Sequence, residues 1–302
     1  TARLGRVGTV TDFSTLAGRP TKITARGFGW THAGRTQPAL ADIDLVIESG
    51  ERVLLCGDSG SGKSTFLAAI AGVLGSDEEG IRAGEILLED STGAVEEPGH
   101  SIPVGLVLQD PDSQVISARV GDDIAFGCEN LAYPREEIWR RVAAAKDLVG
   151  PFVDLDFPTE RLSGGQKQRL ALAGVIAMGA GVVLLDEPTA NLDPAGARDV
   201  VRAVSALVEE TGATLVVVEH QHTAWEGLLG RAVELSQGRI VADGPFEQVA
   251  TRRRVEGLPQ ARELGDDAAV KSDAALWSKD LVTRFGPPRT ISLPAGASTV
   301  IT

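Results

Sequence analysis

The sequence is poor in cysteine and in long apolar runs, and each shortage excludes a class of protein. The two cysteines, Cys56 and Cys128, are too few for the disulfide framework of a secreted scaffold. The longest uncharged run, residues 170–185, is interrupted by glycines, and a spanning helix needs about 20 mainly apolar residues. We therefore expect no membrane-spanning helix and interpret this run as a buried helix followed by a buried strand.

Basic residues are also scarce relative to acidic ones. The chain has 302 residues, with 29 lysines and arginines against 42 aspartates and glutamates, and its formal net charge is −13. Proteins that bind nucleic acid electrostatically usually present a basic stripe, so this balance argues against a nucleic-acid partner. The apolar fraction of 43% is enough to build a core for one large domain or two small ones.

Short apolar runs alternate along the chain with segments of helical periodicity. This alternation is typical of an α/β fold in which crossover helices connect the strands of a parallel sheet. The predicted strands include 40–47, 52–56, 85–88, 104–109, 182–186 and 214–219, with a hairpin at 232–241; the predicted helices are 63–74, 135–149, 163–178 and 194–209.

The segment GDSGSGKS, residues 57–64, matches the phosphate-binding pattern GxxxxGK[ST] between a predicted strand and a predicted helix. Glycines let backbone amides surround phosphate oxygens, while the lysine reaches the β/γ-phosphates and the following hydroxyl binds Mg²⁺. The alternative is a chance glycine-rich turn. The expected nucleotide contacts are Gly57, Asp58, Ser59, Gly60, Ser61, Gly62, Lys63, Ser64 and Thr65.

Two further segments place polar groups where a nucleotide could use them. The apolar run 182–185 ends in Asp186 and Glu187, and ligands of open α/β sheets bind at that end of the strands. Asp186 could hold Mg²⁺, and Glu187 could accept a proton from an attacking water. The segment LSGGQ, residues 162–166, opens a predicted helix and is either a second anion site or an ordinary capped helix.

Taken together, these motifs resemble the ATP-binding cassette (ABC) transporter ATPases over residues 21–250. LSGGQ, the GDSGSGKS loop, VVLLDEPTANLD (182–193), Gln109 and VVVEH (216–220) occur in that family's order. The resemblance implies a P-loop NTPase with a parallel-sheet core, an antiparallel β-subdomain and an inserted α-helical subdomain at about 112–180. Residues 106–130 are similar to the ATPases of energy-coupling-factor importers, although Asp110 and Ser113 replace asparagines of their usual pattern.

The resemblance also implies a role for individual residues. The implied catalytic group comprises Glu187 as the base, His220 as the switch histidine at the γ-phosphate, Gln109 and Lys63. Ser64, Gln109 and Asp186 would bind Mg²⁺. Trp30 would stack on adenine, with a core or interface tryptophan as the alternative. His32, His100 and His222 are interpreted as structural. The residues expected to meet the nucleotide of an opposing cassette are Ser163, Gly164, Gly165, Gln166 and Asp193.

The implied function is ATP hydrolysis that powers import of a small solute, such as a vitamin or metal ion, through cassette dimerisation. ATP and Mg²⁺ are the expected cofactors. The expected partners are a second cassette and integral membrane subunits at the cytoplasmic face of the membrane. One alternative is a soluble tandem-cassette ATPase acting on ribosomes or nucleic acid. Another is a simple kinase that has only the phosphate loop.

The two ends of the chain give a further prediction about domains. Residues 1–20 carry little pattern and are expected to be a tail or linker, and residues 251–274 are expected to be a second linker. Residues 275–302 run parallel to the segment around 43–56, which predicts the truncated start of a second cassette in a longer polypeptide that does not begin at Thr1. An unrelated C-terminal β-extension is the alternative.

Overall fold

The computed structural model describes residues 16, 18–75, 79–150, 153–190, 192–220, 222–250, 274–281 and 289–294. These residues fall into two compact units, one within Thr1–Arg254 and one within Val255–Thr302. Leu16 is fully buried, so this part of the segment predicted to be a tail packs in the core. The remainder of that prediction up to residue 15, and the predicted linker up to residue 273, lie largely outside the described residues.

The first unit is built on a six-stranded sheet of order β10-β9-β3-β8-β7-β6. Its inner strands are the short apolar runs of the sequence, buried because helices cover both faces of a parallel sheet. Within this sheet as the structure describes it, the strands β3, β6, β7, β8 and β9 run parallel, and β10 alone is antiparallel to its neighbour. The bounds are β3 Arg52–Gly57, β6 Val104–Val107, β7 Val182–Asp186, β8 Thr214–Val218, β9 Arg231–Ser236 and β10 Arg239–Pro245.

A second, antiparallel sheet of order β2-β1-β4-β5 forms the predicted β-subdomain. Its strands are β1 Lys22–His32, β2 Leu40–Ile47, β4 Gly80–Glu89 and β5 Val95–Glu96. Apolar side chains of this sheet, including Ile23, Phe28 and Ile43, share one buried cluster with the helix α1 (Lys63–Ala71). The start of β2 lies beside the phosphate loop, because the carbonyl oxygen of Ala39, the residue before β2, lies 2.6 Å from where a Cβ on Gly62 would stand.

Three helices form the predicted helical subdomain, and a fourth follows it. They are α2 Val120–Asn130, α3 Arg135–Leu148, α4 Gly164–Met178 and α5 Pro194–Thr211. The helix α4 lies directly on β6, since a Cβ on Gly105 would stand only 2.2 Å from Cγ1 of Val175. Among the described helices, none is long and apolar enough to cross a lipid bilayer. This arrangement confirms the fold class predicted from the sequence.

The second unit contains two described strands, β11 (Ala274–Leu281) and β12 (Arg289–Pro294). They pair antiparallel, with Leu276 opposite Leu293 and Ser278 opposite Ile291. The strands fall within the segment predicted to repeat the start of the first unit.

Candidate functional site

The phosphate loop joins β3 to α1 and is shaped by backbone conformations that favour glycine. Gly57 has φ 144° and Gly62 has φ 103°, values that residues with a Cβ rarely adopt. A Cβ on Gly57 would also stand 2.2 Å from the Leu235 carbonyl oxygen. The loop therefore closes tightly around the Lys63 side chain, whose Nζ donates hydrogen bonds of 2.9 Å to the carbonyl oxygens of Gly57 and Asp58.

This loop has the features that a phosphate group requires. The helix α1 begins at Lys63 without a side-chain cap, so its first N–H groups face the loop. The Ser61 hydroxyl is buried and has no hydrogen-bond partner among the described residues. Such an orphaned buried group costs stability unless a ligand satisfies it. The loop and the Lys63 ammonium together fit a nucleotide polyphosphate.

Two oxygen donors lie at the edge of this loop. Asp186 ends β7, and its carboxylate accepts a hydrogen bond from the Ser64 hydroxyl. Burial raises the pKa of Asp186 above its usual value; the Ser64 hydrogen bond opposes this rise and the Glu187 charge adds to it. Oxygen ligands of this kind suit Mg²⁺, which usually takes one or two carboxylates along with substrate phosphates. Ser64 and Asp186 therefore fit a magnesium ion.

Glu187 sits at the centre of the site in a constrained conformation. Its φ of 49° places it in the left-handed region, and its amide donates a 2.9 Å hydrogen bond to the Val218 carbonyl oxygen. Gln109 Nε2 donates to Glu187 Oε2 at 2.9 Å, and His220 Nε2 lies 2.9 Å from Glu187 Oε1. Strained backbone of this kind is concentrated at functional sites. The ends of three neighbouring strands, β6, β7 and β8, thus place these three side chains together.

The buried carboxylate of Glu219 stabilises this arrangement through hydrogen bonds with Thr189. Glu219 Oε1 accepts hydrogen bonds from the Thr189 hydroxyl at 2.5 Å and from the Thr189 amide at 3.1 Å. Burial raises the pKa of Glu219, while the Thr189 hydrogen bonds oppose that rise. Because Glu219 precedes His220 and Thr189 follows Glu187, this contact ties together the two segments that carry those residues.

The serine-led segment lies in a different region of the same unit. Ser163 caps α4 in a reciprocal arrangement: its hydroxyl accepts from the Gln166 amide at 3.4 Å, and its own amide donates to Gln166 Oε1 at 2.8 Å. Asp193 similarly caps α5 through the Gly196 amide at 2.6 Å. Leu192 approaches both Gly164 and Gly165. Asn191, from the same predicted loop, lies outside the described residues.

The site has two parts. The strand-end cluster is the set of side chains that surrounds the phosphate loop, namely Lys63, Ser64, Gln109, Asp186, Glu187 and His220. The signature region is the set at the two capped helix starts, namely Ser163, Gly164, Gly165, Gln166, Leu192 and Asp193.

Trp30 occupies a place that differs from the one expected for a stacking residue. It is only 4% exposed, and its ring lies against Gly80, so it offers no open face to a base. This burial favours the alternative of a core tryptophan. Trp30 Nε1 donates a 3.1 Å hydrogen bond to His32 Nδ1, and the His32 ring is exposed at the end of β1.

The predicted catalytic residues therefore lie close together, whereas the predicted signature residues form a separate group. Sequence reasoning missed three polar residues around them: Glu219, Gln114 and Gln168. Gln114 and Gln168 both donate hydrogen bonds to the Leu108 carbonyl oxygen, beside Gln109. Of these three residues, only Glu219 could have been singled out from the sequence, because a glutamate at the end of an apolar strand is unusual.

Comparison with known proteins gives several matches. A family model described as ABC transporter matches residues 40–190. A putative ABC transporter ATP-binding protein of Methanosarcina acetivorans is 38% identical over 289 residues, which cover 91% of this chain and 45% of that protein. The energy-coupling factor transporter ATP-binding protein EcfA1 of Caldanaerobacter subterraneus is 37% identical over 76% of this chain and 83% of that protein. The chain spans about half the length of the Methanosarcina relatives that it matches.

Two solved structures have the same fold. The structure of cbiO1 from Clostridium perfringens, described as part of the ABC transporter complex cbiONQ, is 30% identical with a TM-score of 0.65 over 79% of this chain and 93% of that one. A dimeric ATP-binding cassette in a post-hydrolysis state with ADP and phosphate is 22% identical, with a TM-score of 0.61 over 74% and 98% of the two chains. The second likeness supports the fold alone.

Proposed function

This chain belongs to the ABC transporter family, with relatives among the energy-coupling-factor ATP-binding subunits, and we propose that it is the subunit that binds and hydrolyses ATP for such an importer. One observation carries the proposal: the Glu187 carboxylate is held between Gln109 and His220 at the edge of a phosphate loop. A carboxylate in that place can take a proton from a water attacking the terminal phosphate.

Each residue of the strand-end cluster has a task in this reaction. The phosphate loop and Lys63 hold the β- and γ-phosphates. Ser64 and Asp186, with Gln109, would hold Mg²⁺, which would supply charge neutralisation to the phosphates. Gln109 and His220 fix the direction of the Glu187 carboxylate, so that the base meets the attacking water in one orientation.

The signature region completes the site of a second cassette. Ser163 is exposed at the N-terminus of α4, and the backbone N–H groups at helix N-termini suit phosphate groups. We infer that Ser163, Gly164, Gly165 and Gln166 meet the nucleotide held by an opposing cassette, with Asp193 at the same interface. Closure of the pair on ATP and its release after hydrolysis then drive the transporter.

The second cassette can lie in the same polypeptide or in another copy of it. The Methanosarcina acetivorans relative supports the tandem arrangement. The match covers 91% of this chain but only 45% of that relative, which is therefore long enough to hold a second cassette. The antiparallel pair β11–β12 also resembles the β1–β2 pair with which the first unit begins. The parent reading frame tests this proposal: a second GxxxxGK[ST] loop after residue 302 is expected, and its absence contradicts the tandem.

Integral membrane subunits are the proposed partners, at the cytoplasmic face of the membrane. Large apolar side chains on the helical subdomain and the loop before it are exposed to solvent; these are Leu108, Ile116, Phe126 and Trp139. Such a patch suits a protein partner. The proposed cargo is a small solute such as a vitamin or a metal ion, selected by the membrane subunits. Co-purification of the protein with a membrane subunit identified by mass spectrometry is expected; co-purification with ribosomes contradicts this assignment.

Nucleotide binding and turnover test the proposal directly. The purified full-length protein should bind a fluorescent ATP analogue in the presence of Mg²⁺ and release phosphate from ATP. Lys63→Ala should weaken binding more than a hundredfold, because it removes the cation that meets the phosphates, whereas Lys146→Ala on the surface of α3 should leave binding unchanged. A wild-type protein without affinity for magnesium nucleotide would overturn the assignment.

A further inference from the structure

The helix α4, which begins in the signature region, also contacts the loop that carries Gln109. Gln168 lies on the second turn of α4 and is only 1% exposed. Its Nε2 donates a 3.2 Å hydrogen bond to the Leu108 carbonyl oxygen, immediately before Gln109. Lys167, the preceding residue of α4, pairs with the Asp112 carboxylate on the same loop.

Gln114 also forms hydrogen bonds with the backbone of Leu108. Its Oε1 accepts from the Leu108 amide at 2.9 Å, and its Nε2 donates to the Leu108 carbonyl oxygen at 3.1 Å. Both hydrogen-bonding groups of the Leu108 backbone are therefore held by side-chain amides. The Leu108 carbonyl oxygen accepts from Gln114 and Gln168 together, so the two glutamines meet at one atom.

Burial of Gln168 is costly for the fold. Its Oε1 has no hydrogen-bond partner among the described residues. An unsatisfied buried acceptor lowers the stability of the fold, whereas an apolar side chain of similar volume has no such cost. Packing alone would favour methionine or leucine at this position. The hydrogen bond to Leu108 is therefore best explained by a role in positioning the loop.

The contacts continue from this loop to the catalytic base. Gln109 follows Leu108 and donates to Glu187. At the other end, one turn before Gln168, the reciprocal cap of Ser163 and Gln166 forms the start of α4. An unbroken series of contacts thus runs from the capped serine, through Gln168 and Leu108, to Gln109 and Glu187.

We propose that Gln168, together with Gln114, is a positioning residue that transmits contact at the signature region to the Gln109–Glu187 pair of the same cassette. This inference rests on the proposed function, because it requires an opposing nucleotide at Ser163. It couples two nucleotide sites: when the opposing nucleotide fixes the start of α4, the Gln168 hydrogen bond fixes the orientation of Gln109 in this cassette's own site.

The test compares Gln168→Met with wild type in the full-length protein. Methionine fills the same volume but donates no hydrogen bond to Leu108. We expect kcat to fall about tenfold, KM for ATP to stay within twofold, and the dependence of rate on ATP concentration to become less cooperative. The thermal midpoint should stay the same or rise, because the unsatisfied Oε1 is removed. A merely structural glutamine would lower the thermal midpoint and kcat together, and that result would overturn the proposal.

Two further variants extend the test. Gln114→Met changes a less buried residue, and combined with Gln168→Met it should reduce kcat no more than the stronger single variant, because both act through Leu108. If the losses of kcat in the two single variants multiply in the double variant, the two glutamines do not act through the same Leu108 contact, which contradicts the proposal. Gln248→Met, at an exposed position, is the matched control and should leave kcat unchanged.

The outcomes also separate this inference from the proposed function. If wild type hydrolyses ATP and Gln168→Met keeps full kcat and cooperativity, the positioning role fails while the ATPase assignment stands. If wild type itself has no ATPase activity, the proposed function fails first.

Discussion

The strand-end cluster and the signature region differ in what holds them in place. The first is built from the ends of three adjacent strands, and Glu187 has partners from two of them, Gln109 and His220. The second is shaped by the starts of two helices, and the hydrogen bonds of Ser163 and Asp193 span only three residues. The strand-end cluster is thus assembled within the fold, while the signature region is partly exposed at the surface.

The largest effect should come from the strand-end cluster. Glu187→Gln keeps the shape of the side chain but removes the base, and general-base catalysis contributes about 10²–10⁴-fold. We expect phosphate release to fall about a thousandfold while binding of a magnesium nucleotide stays within threefold of wild type.

Glu210→Gln, on the exposed face of α5, serves as the control for this change. It should leave both phosphate release and binding unaltered. Unimpaired hydrolysis by Glu187→Gln would remove Glu187 as the base and blur the contrast between the two regions.

A change in the signature region should reduce turnover without reducing affinity. Ser163→Ala removes a hydroxyl that would meet an opposing phosphate, and a hydrogen bond to a charged group is worth about 1.5–3 kcal/mol. We expect kcat to fall about tenfold while the affinity of the phosphate loop for nucleotide stays within twofold, measured by steady-state kinetics and by titration of a fluorescent analogue.

Ser205→Ala, on an exposed part of α5, is the matched control and should change neither quantity. A loss of affinity in Ser163→Ala as large as that in Lys63→Ala would mean that the signature region serves the phosphate loop of its own cassette, and it would contradict the separate roles of the two regions.

Sequence alone predicted the phosphate loop and the carboxylates after β7 because their chemistry depends on neighbours in the chain. It also predicted the sheet, because short apolar runs bounded by glycine are typical of buried parallel strands. It could not predict the contact between Gln109 and Glu187, which are 78 residues apart and meet only through strand order. Nor could it predict that the Trp30 ring is buried and the His32 ring exposed, since the packing of β4 against β1 decides this.

The exposed His32 ring, held by Trp30 Nε1 at the end of β1, gives a test with a smaller expected effect. The prediction is that this ring contacts the base of the nucleotide. Stacking of a base on an aromatic ring is worth about 1–3 kcal/mol. His32→Ala should therefore weaken nucleotide binding about fivefold without changing the thermal midpoint.

His100→Ala, at an exposed loop position, is the control and should bind nucleotide as wild type does. Unchanged affinity in His32→Ala would show that the base is held by other groups and would contradict this prediction.

The smallest expected effect is on Asp193 variants, which separate its role as a helix cap from any contact with nucleotide. Its carboxylate accepts from the Gly196 amide at the start of α5, and replacing such a cap by alanine costs about 0.5–2 kcal/mol. We expect Asp193→Ala to lower the free energy of unfolding by about 1 kcal/mol, measured by urea titration, with nucleotide binding by the phosphate loop changed less than twofold. Asp193→Asn, which can still cap, should recover most of that stability. If the asparagine variant is as unstable as the alanine variant, the negative charge rather than the cap supports α5, and the signature region then depends on more than the hydrogen bonds of its helix starts.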